Sequence, residues 1–299
     1  MMRGKEIGKI SRAGRAAGQG GERSGRVFRI ETRTTPLFAA FRLLALIYHG
    51  AVRSVRRSHG NALVGLLLNI LQTVILIAGF YVMMTLLGMR QAAIRGDFVL
   101  YLMTGVFLFM TNTKTSGAVS SAEGPASPMM LHAPMNPIVA IGSAALAALY
   151  TQVLSMVVVL YVYHVAFTPI TIVDPVGLAG MVLLAWVYGI GVGMIFLAVR
   201  PWWPAFASVG SSVYSRFNMI ASGKMFTANT LSYWVLALFS WNPLFHIIDQ
   251  ARGYTFENYF PRYTSISYPA WVSVALIMLG LMAEFFNRRR VSASWFARR

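Results

Sequence analysis

Lys224-Met225-Phe226-Thr227-Ala228-Asn229-Thr230-Leu231-Ser232-Tyr233-Trp234 runs on to Ser240-Trp241-Asn242-Pro243-Leu244-Phe245-His246, and its reading decides how often the chain crosses a membrane. From Met225 to Ile248 no residue is charged, so length and apolarity allow a full span. Tyr263 to Ala283 is long and apolar enough for another. If both cross, the spans number seven and the termini lie on opposite sides. The basic residues argue against that. Thirteen of the 26 Lys and Arg precede residue 60 and five follow Glu284. Basic flanks stay on the cytoplasmic side, which places both ends together and requires an even number of crossings. Residues 227–262 are therefore expected to form an external element that dips into the membrane without crossing. Asn229, Thr230, Ser232, Asn242 and Pro243 suit broken helices. Non-helical backbone at that depth is tolerated only where protein or a water-filled cavity covers it, which points to a gate or a pathway.

The bulk numbers agree with a membrane protein. The 299 residues are 57% hydrophobic and 12% charged, about half the charged fraction of a soluble domain. The mean hydropathy is +0.59. Spans and loops use up this length and leave no large soluble domain. The absence of cysteine excludes disulfides and thiolate metal sites. A net charge of +17 would suit nucleic acid, but its concentration in two tails suits cytoplasmic anchoring better, and no nucleic-acid partner is expected.

The expected fold is all-α: an N-terminal amphipathic interfacial helix and six transmembrane helices, with a re-entrant external helical element between the fifth and sixth. Residues 1–35 lack an apolar core and read as a disordered basic cytosolic tail. In 36–59, Leu37, Phe41, Leu44 and Tyr48 form an apolar stripe against Arg42, Arg53, Arg56 and Arg57, as in a helix lying in the membrane surface. The transmembrane domain covers 60–287, with spans at 61–87, 98–119, 138–165, 175–199, 205–226 and 265–285. Residues 288–299 form a second basic cytosolic tail. The segment from Ser120 to Pro137 carries Pro125, Pro128 and Pro134, which interrupt any membrane helix.

With that layout, the run Trp241-Asn242-Pro243-Leu244-Phe245-His246-Ile247-Ile248-Asp249 with Arg252 resembles the permease subunits of ABC-2-type exporters. It is most similar to the capsular polysaccharide export permeases of Gram-negative bacteria. Gly105 and the stretch Gly191-Val192-Gly193-Met194-Ile195-Phe196 share the resemblance, which covers about Pro36 to Asn287. It implies a homodimer in the bacterial inner membrane, with both termini cytoplasmic, bound to two copies of an ABC ATPase subunit. It also implies export of a lipid-linked polysaccharide in concert with periplasmic and outer-membrane export proteins. Trp241, Asn242, Pro243, His246, Asp249 and Arg252 would then form a periplasmic gate, and Glu123, Met129, Leu131 and His132 would couple to the ATPase.

The chain is not expected to be an enzyme. It lacks a G-x-x-x-x-G-K-[ST] phosphate loop, so it carries no cofactor, and ATP and Mg would sit on the partner. No catalytic or metal-binding residues are assigned. Lys114, Arg216 and Lys224 are cations within the spans, where a charge costs about 3 kcal/mol on insertion scales and usually faces an interior. Each suits the phosphate of a lipid-linked glycan. Arg216, in mid-span, is expected to face a lumen. Lys114 and Lys224 either join it or snorkel to the headgroups. Tyr214 and Phe217 are aromatic surfaces for sugar on the same helix. Asp249 and Arg252, three apart, are expected to pair. Other readings are an ABC-2 exporter of a small lipophilic drug or antibiotic, a membrane enzyme acting on lipid-linked sugar, and a channel or scaffold without an ATPase.

Overall fold

The computed structural model describes residues 36–57, 62–88, 96–122 and 136–296, and every regular element among them is helical. The chain divides into Met1–Phe41 and Arg42–Arg299. Of the first unit only residues 36–41 are described, as the opening of helix α1 (Pro36–Arg57). The tail 1–35 and the coupling residues Glu123, Met129, Leu131 and His132 lie outside the described residues.

Helices α2 (Ala62–Leu86), α3 (Phe98–Ser120), α4 (Pro137–Ala166), α5 (Pro175–Val199), α6 (Pro204–Ala221) and α9 (Ser267–Phe296) are the long elements after α1. Between α6 and α9 lie a single 3-10 turn (Ala228–Thr230), α7 (Tyr233–Phe239) and α8 (Pro243–Thr255). Four of the described helices are, by length and composition, long and apolar enough to span a membrane, at Leu63–Leu86, Pro137–Ala166, Pro175–Val199 and Ser267–Asn287. Only 22% of the apolar window in α2, and the same share in α9, is buried inside the chain. Apolar helices this exposed need lipid or protein around them, which makes this a membrane protein.

The helix starts follow local chemistry. Asp97, Asn136 and Asp174 cap α3, α4 and α5 by accepting from Val99 N, Ile138 N, and Val176 N with Gly177 N. Pro137 and Pro175 occupy the first helical position, where a missing N–H costs nothing.

Helix α3 lies at the centre. It packs on α5 most extensively, and also on α4, α2 and α8. It is buried without a break from Leu100 to Asn112. It is less apolar than α2, α4 and α5 because it carries Thr104, Thr111, Asn112, Lys114, Thr115 and Ser116. Thr104 and Thr111 donate back to Tyr101 O and Phe107 O at 2.8 Å, and Asn112 Nδ2 donates to Ala185 O of α5. The polar helix is thus placed where protein surrounds it. Helix α5 approaches closely on both sides through glycine. A Cβ on Gly193 would stand 2.7 Å from Val119 Cβ of α3, and one on Gly191 would stand 2.9 Å from Leu276 Cβ of α9. Small residues let membrane helices meet backbone to backbone.

Two element bounds differ from expectation. The fifth span was expected over 205–226, but α6 stops at Ala221. Gly223, at φ +73°, adopts the left-handed conformation that ends helices. The last helix was expected to end at 285 before a tail, but α9 runs on to Phe296, since no Gly or Pro follows residue 285 within it.

Candidate functional site

Residues 222–266 form the least regular described segment, and all six expected gate residues lie in it. The site is built from the break between α7 and α8. After Phe239 the backbone turns through Ser240 and Trp241, and Asn242 starts α8 by accepting from Leu244 N at 3.1 Å. Pro243 occupies the first helical position. Asn242 has a second role. Its Nδ2 donates to Asn218 Oδ1 and to Ala221 O, both at 2.9 Å, which ties the break to the end of α6. Asn242 is buried, so each of these bonds also avoids an unsatisfied polar group.

Around this junction Phe217 stacks on Trp241 at 5.5 Å between centroids, and Phe226, Phe239 and Phe245 form a second aromatic group. His246 Nε2 lies 2.7 Å from Ser240 O, and its Nδ1 accepts from Ser265 N. The histidine thereby joins the break to the loop after α8. Tyr268 OH, from α9, donates to Trp241 O at 2.7 Å.

Asp249 and Arg252 do not form the expected pair. Each binds the turn that precedes α7. Arg252 Nη1 donates to Gly223 O and Phe226 O, and its Nη2 to Lys224 O, at 2.7–2.9 Å. Its guanidinium also lies 4.0 Å from the Tyr101 ring centroid of α3. Asp249 accepts from Ala228 N, Tyr259 OH and Thr264 OH. A tight buried turn offers several unpaired carbonyls and amides, and a forked cation and a carboxylate satisfy them. Burial and the Asp249 carboxylate push the Tyr259 hydroxyl up, so it remains a donor.

Lys224 is held at the same turn. It was read as lying within the fifth span with a chance to snorkel, but it is 1% exposed and cannot reach a headgroup. A Cβ on Gly105 would stand 2.7 Å from Lys224 Cβ, so the turn sits directly on the α3 backbone. Gly105 is seven residues inside α3, about 10 Å along its axis. Lys224 Nζ has no hydrogen-bond partner among the described residues and lies 3.6 Å and 4.7 Å from the Phe109 and Phe80 ring centroids.

The remaining expected site residues are dispersed. Tyr214 OH donates to Asn112 Oδ1 at 3.0 Å and faces the bundle. Arg216, two positions on, is exposed on the outside of α6, so the two are not one site within a single chain. Lys114 is at the other end of α3, where Nζ donates to Gln72 Oε1 at 2.6 Å. The sequence reading missed Asn112 and Asn218, although an asparagine in an otherwise apolar run is a visible signal. It also missed Tyr259, Thr264 and Gly223, whose roles depend on distant contacts. Among the described residues no three His, Asp or Glu side chains gather as a metal site.

Compared with known protein families and with curated proteins, the sequence matches no family model and no curated protein.

Proposed function

We propose that this chain is the membrane-spanning permease subunit of an ATP-driven ABC exporter. It works as a homodimer with two ATPase subunits and moves a lipid-linked capsular or related polysaccharide across a bacterial inner membrane. In this reading α2, α3, α4, α5, α6 and α9 cross the membrane, α1 lies in its surface, and both termini are cytoplasmic. The segment 227–262 enters and leaves from the periplasmic side as a gate. Glu123, Met129, Leu131 and His132 dock the ATPase, which supplies the ATP and Mg chemistry.

The observation that carries the reading is the broken helix pair α7–α8. Its break is tied to the end of α6 by Asn242, and the adjoining turn sits on Gly105 inside the bundle. Irregular backbone among membrane helices is a feature of proteins that open a path. A second feature supports a path between two copies. The outward side of α6 exposes Phe206, Val209, Val213, Phe217 and Ile220 beside Arg216. A cation on such a surface suits a lumen formed by two protomers, where it meets the phosphate of the passing lipid.

The test is copurification in detergent with a Walker-type ATPase encoded beside the gene. A stable complex is expected, with assembly or ATPase activity reduced by Glu123→Lys. If no such ATPase binds, the channel, scaffold and enzyme readings take precedence.

A further inference from the structure

Away from the gate segment, a cavity of 380 Å³ opens between α1, α2, α3 and α4. Its polar lining comes chiefly from Asn69, Gln72, Lys114 and Gln152, and its apolar lining includes Leu66 and Leu154. Among the described residues no carboxylate lines it. Among the described residues Lys114 Nζ has one bond, to Gln72 Oε1, and an ammonium offers three donors. Gln152 is 2% exposed; its Oε1 accepts from Asn69 Nδ2, while its Nε2 makes no hydrogen bond among the described residues. Asn69 Nδ2 also donates to Ser155 Oγ at 2.8 Å, which fixes the amide network behind the cavity. A buried amide donor without an acceptor is costly, and a built polar network with a spare donor calls for a ligand that accepts.

Lys114 lies six residues before the end of α3, about 9 Å along the helix axis. Next to the cavity the outer face of α2 exposes Leu63, Leu67 and Leu71, a surface for acyl or prenyl chains. A cation near a helix end and a spare amide donor, beside an apolar helix face and with no carboxylate among the described lining residues, match one ligand chemistry.

We propose that the α1–α4 cavity binds a phosphate-bearing lipid, with the phosphate on Lys114 Nζ and Gln152 Nε2 and the hydrocarbon chain along α2. The lipid is either a phospholipid of the membrane or a polyprenyl phosphate carrier. The site stands on the cavity alone and does not depend on the exporter reading.

The test uses the full chain, delipidated in detergent and titrated with dioleoylphosphatidylglycerol in native mass spectrometry. Dioleoylphosphatidylcholine, which has no net charge, is the control. The wild type is expected to retain the anionic lipid at least tenfold better than Lys114→Gln does. Lys114→Arg keeps the binding, and Ala148→Leu, which narrows the cavity without altering charge, weakens it. If Lys114→Gln does not fold, Gln152→Leu and Ala148→Leu provide the same comparison. Equal retention of the two lipids by the wild type, or equal anionic-lipid retention by the wild type and folded variants, overturns the site. Competition with a polyprenyl monophosphate identifies the source: displacement assigns the carrier, and no displacement assigns the membrane phospholipid. Loss of this binding is read separately from loss of an ATPase complex.

Discussion

Asn242 Nδ2 donates to Asn218 Oδ1 at 2.9 Å, and this bond closes the break between α7 and α8 against the end of α6. Both residues are buried, so the pair is a fixed part of the core rather than a surface contact.

Asn242→Ala removes a helix cap and leaves Asn218 Oδ1 without this donor. The expected loss of stability is about 2–3 kcal/mol, read as a lower midpoint of thermal unfolding in detergent. Asn218→Ala added to Asn242→Ala is expected to cost clearly less than it does alone, because the bond is already gone. Strict additivity would mean that the two residues act independently.

Arg252→Lys tests the turn at 223–226. Lysine keeps the charge but cannot hold three carbonyls with a planar fork. The variant is expected to lose at least about 2 kcal/mol and to become sensitive to proteolysis within 222–232. A neutral result would mean that the fork does not fix the turn.

Lys224→Met keeps most of the side-chain volume and removes an ammonium that lies over two ring faces and makes no hydrogen bond among the described residues. A desolvated cation–π contact is worth about 2 kcal/mol, while the burial cost of an ion is several kcal/mol. The variant is therefore expected to unfold at a higher temperature than the wild type. A lower unfolding temperature would show that Phe80 and Phe109 more than offset the burial cost.

Two glycines on α5 give a matched comparison. A Cβ on Gly193 would meet Val119 Cβ at 2.7 Å, whereas one on Gly180 would meet nothing within 4 Å. Gly193→Ala is expected to cost about 1–3 kcal/mol through overpacking. Gly180→Ala is expected to be neutral or slightly stabilising. Thermal unfolding of the two variants side by side checks this.

The sequence made some of this site legible and concealed the rest, for physical reasons. Asn242 and Pro243 announce the start of α8 because capping and the missing proline N–H are local effects. Asp97, Asn136 and Asp174 start their helices in the same local way. Lys224 could not be placed from its neighbours. Its inward position depends on the positive φ of Gly223 and on the missing Cβ of Gly105, more than a hundred residues earlier. Asp249 and Arg252 looked like partners because three-residue spacing puts them on one helical face. The buried backbone of the preceding turn binds both instead, and nothing in the spacing indicates that turn. Helix α3 was legible as a helix, but its central position follows from its polar side chains needing protein around them.

The proposed gate requires that residues 227–262 enter and leave the membrane on one side. The chain has no cysteine, so single cysteines report topology without background. The most direct measurement is labelling of Thr230→Cys and Asn258→Cys in oriented cells or vesicles with a membrane-impermeant maleimide, with Ser121→Cys as the reference for the opposite face. All three positions are exposed. The expected result is that positions 230 and 258 react from the same side and position 121 only from the other. Reaction of 230 and 258 from opposite sides would make the segment between them a full span, put the termini on opposite faces and contradict the gate.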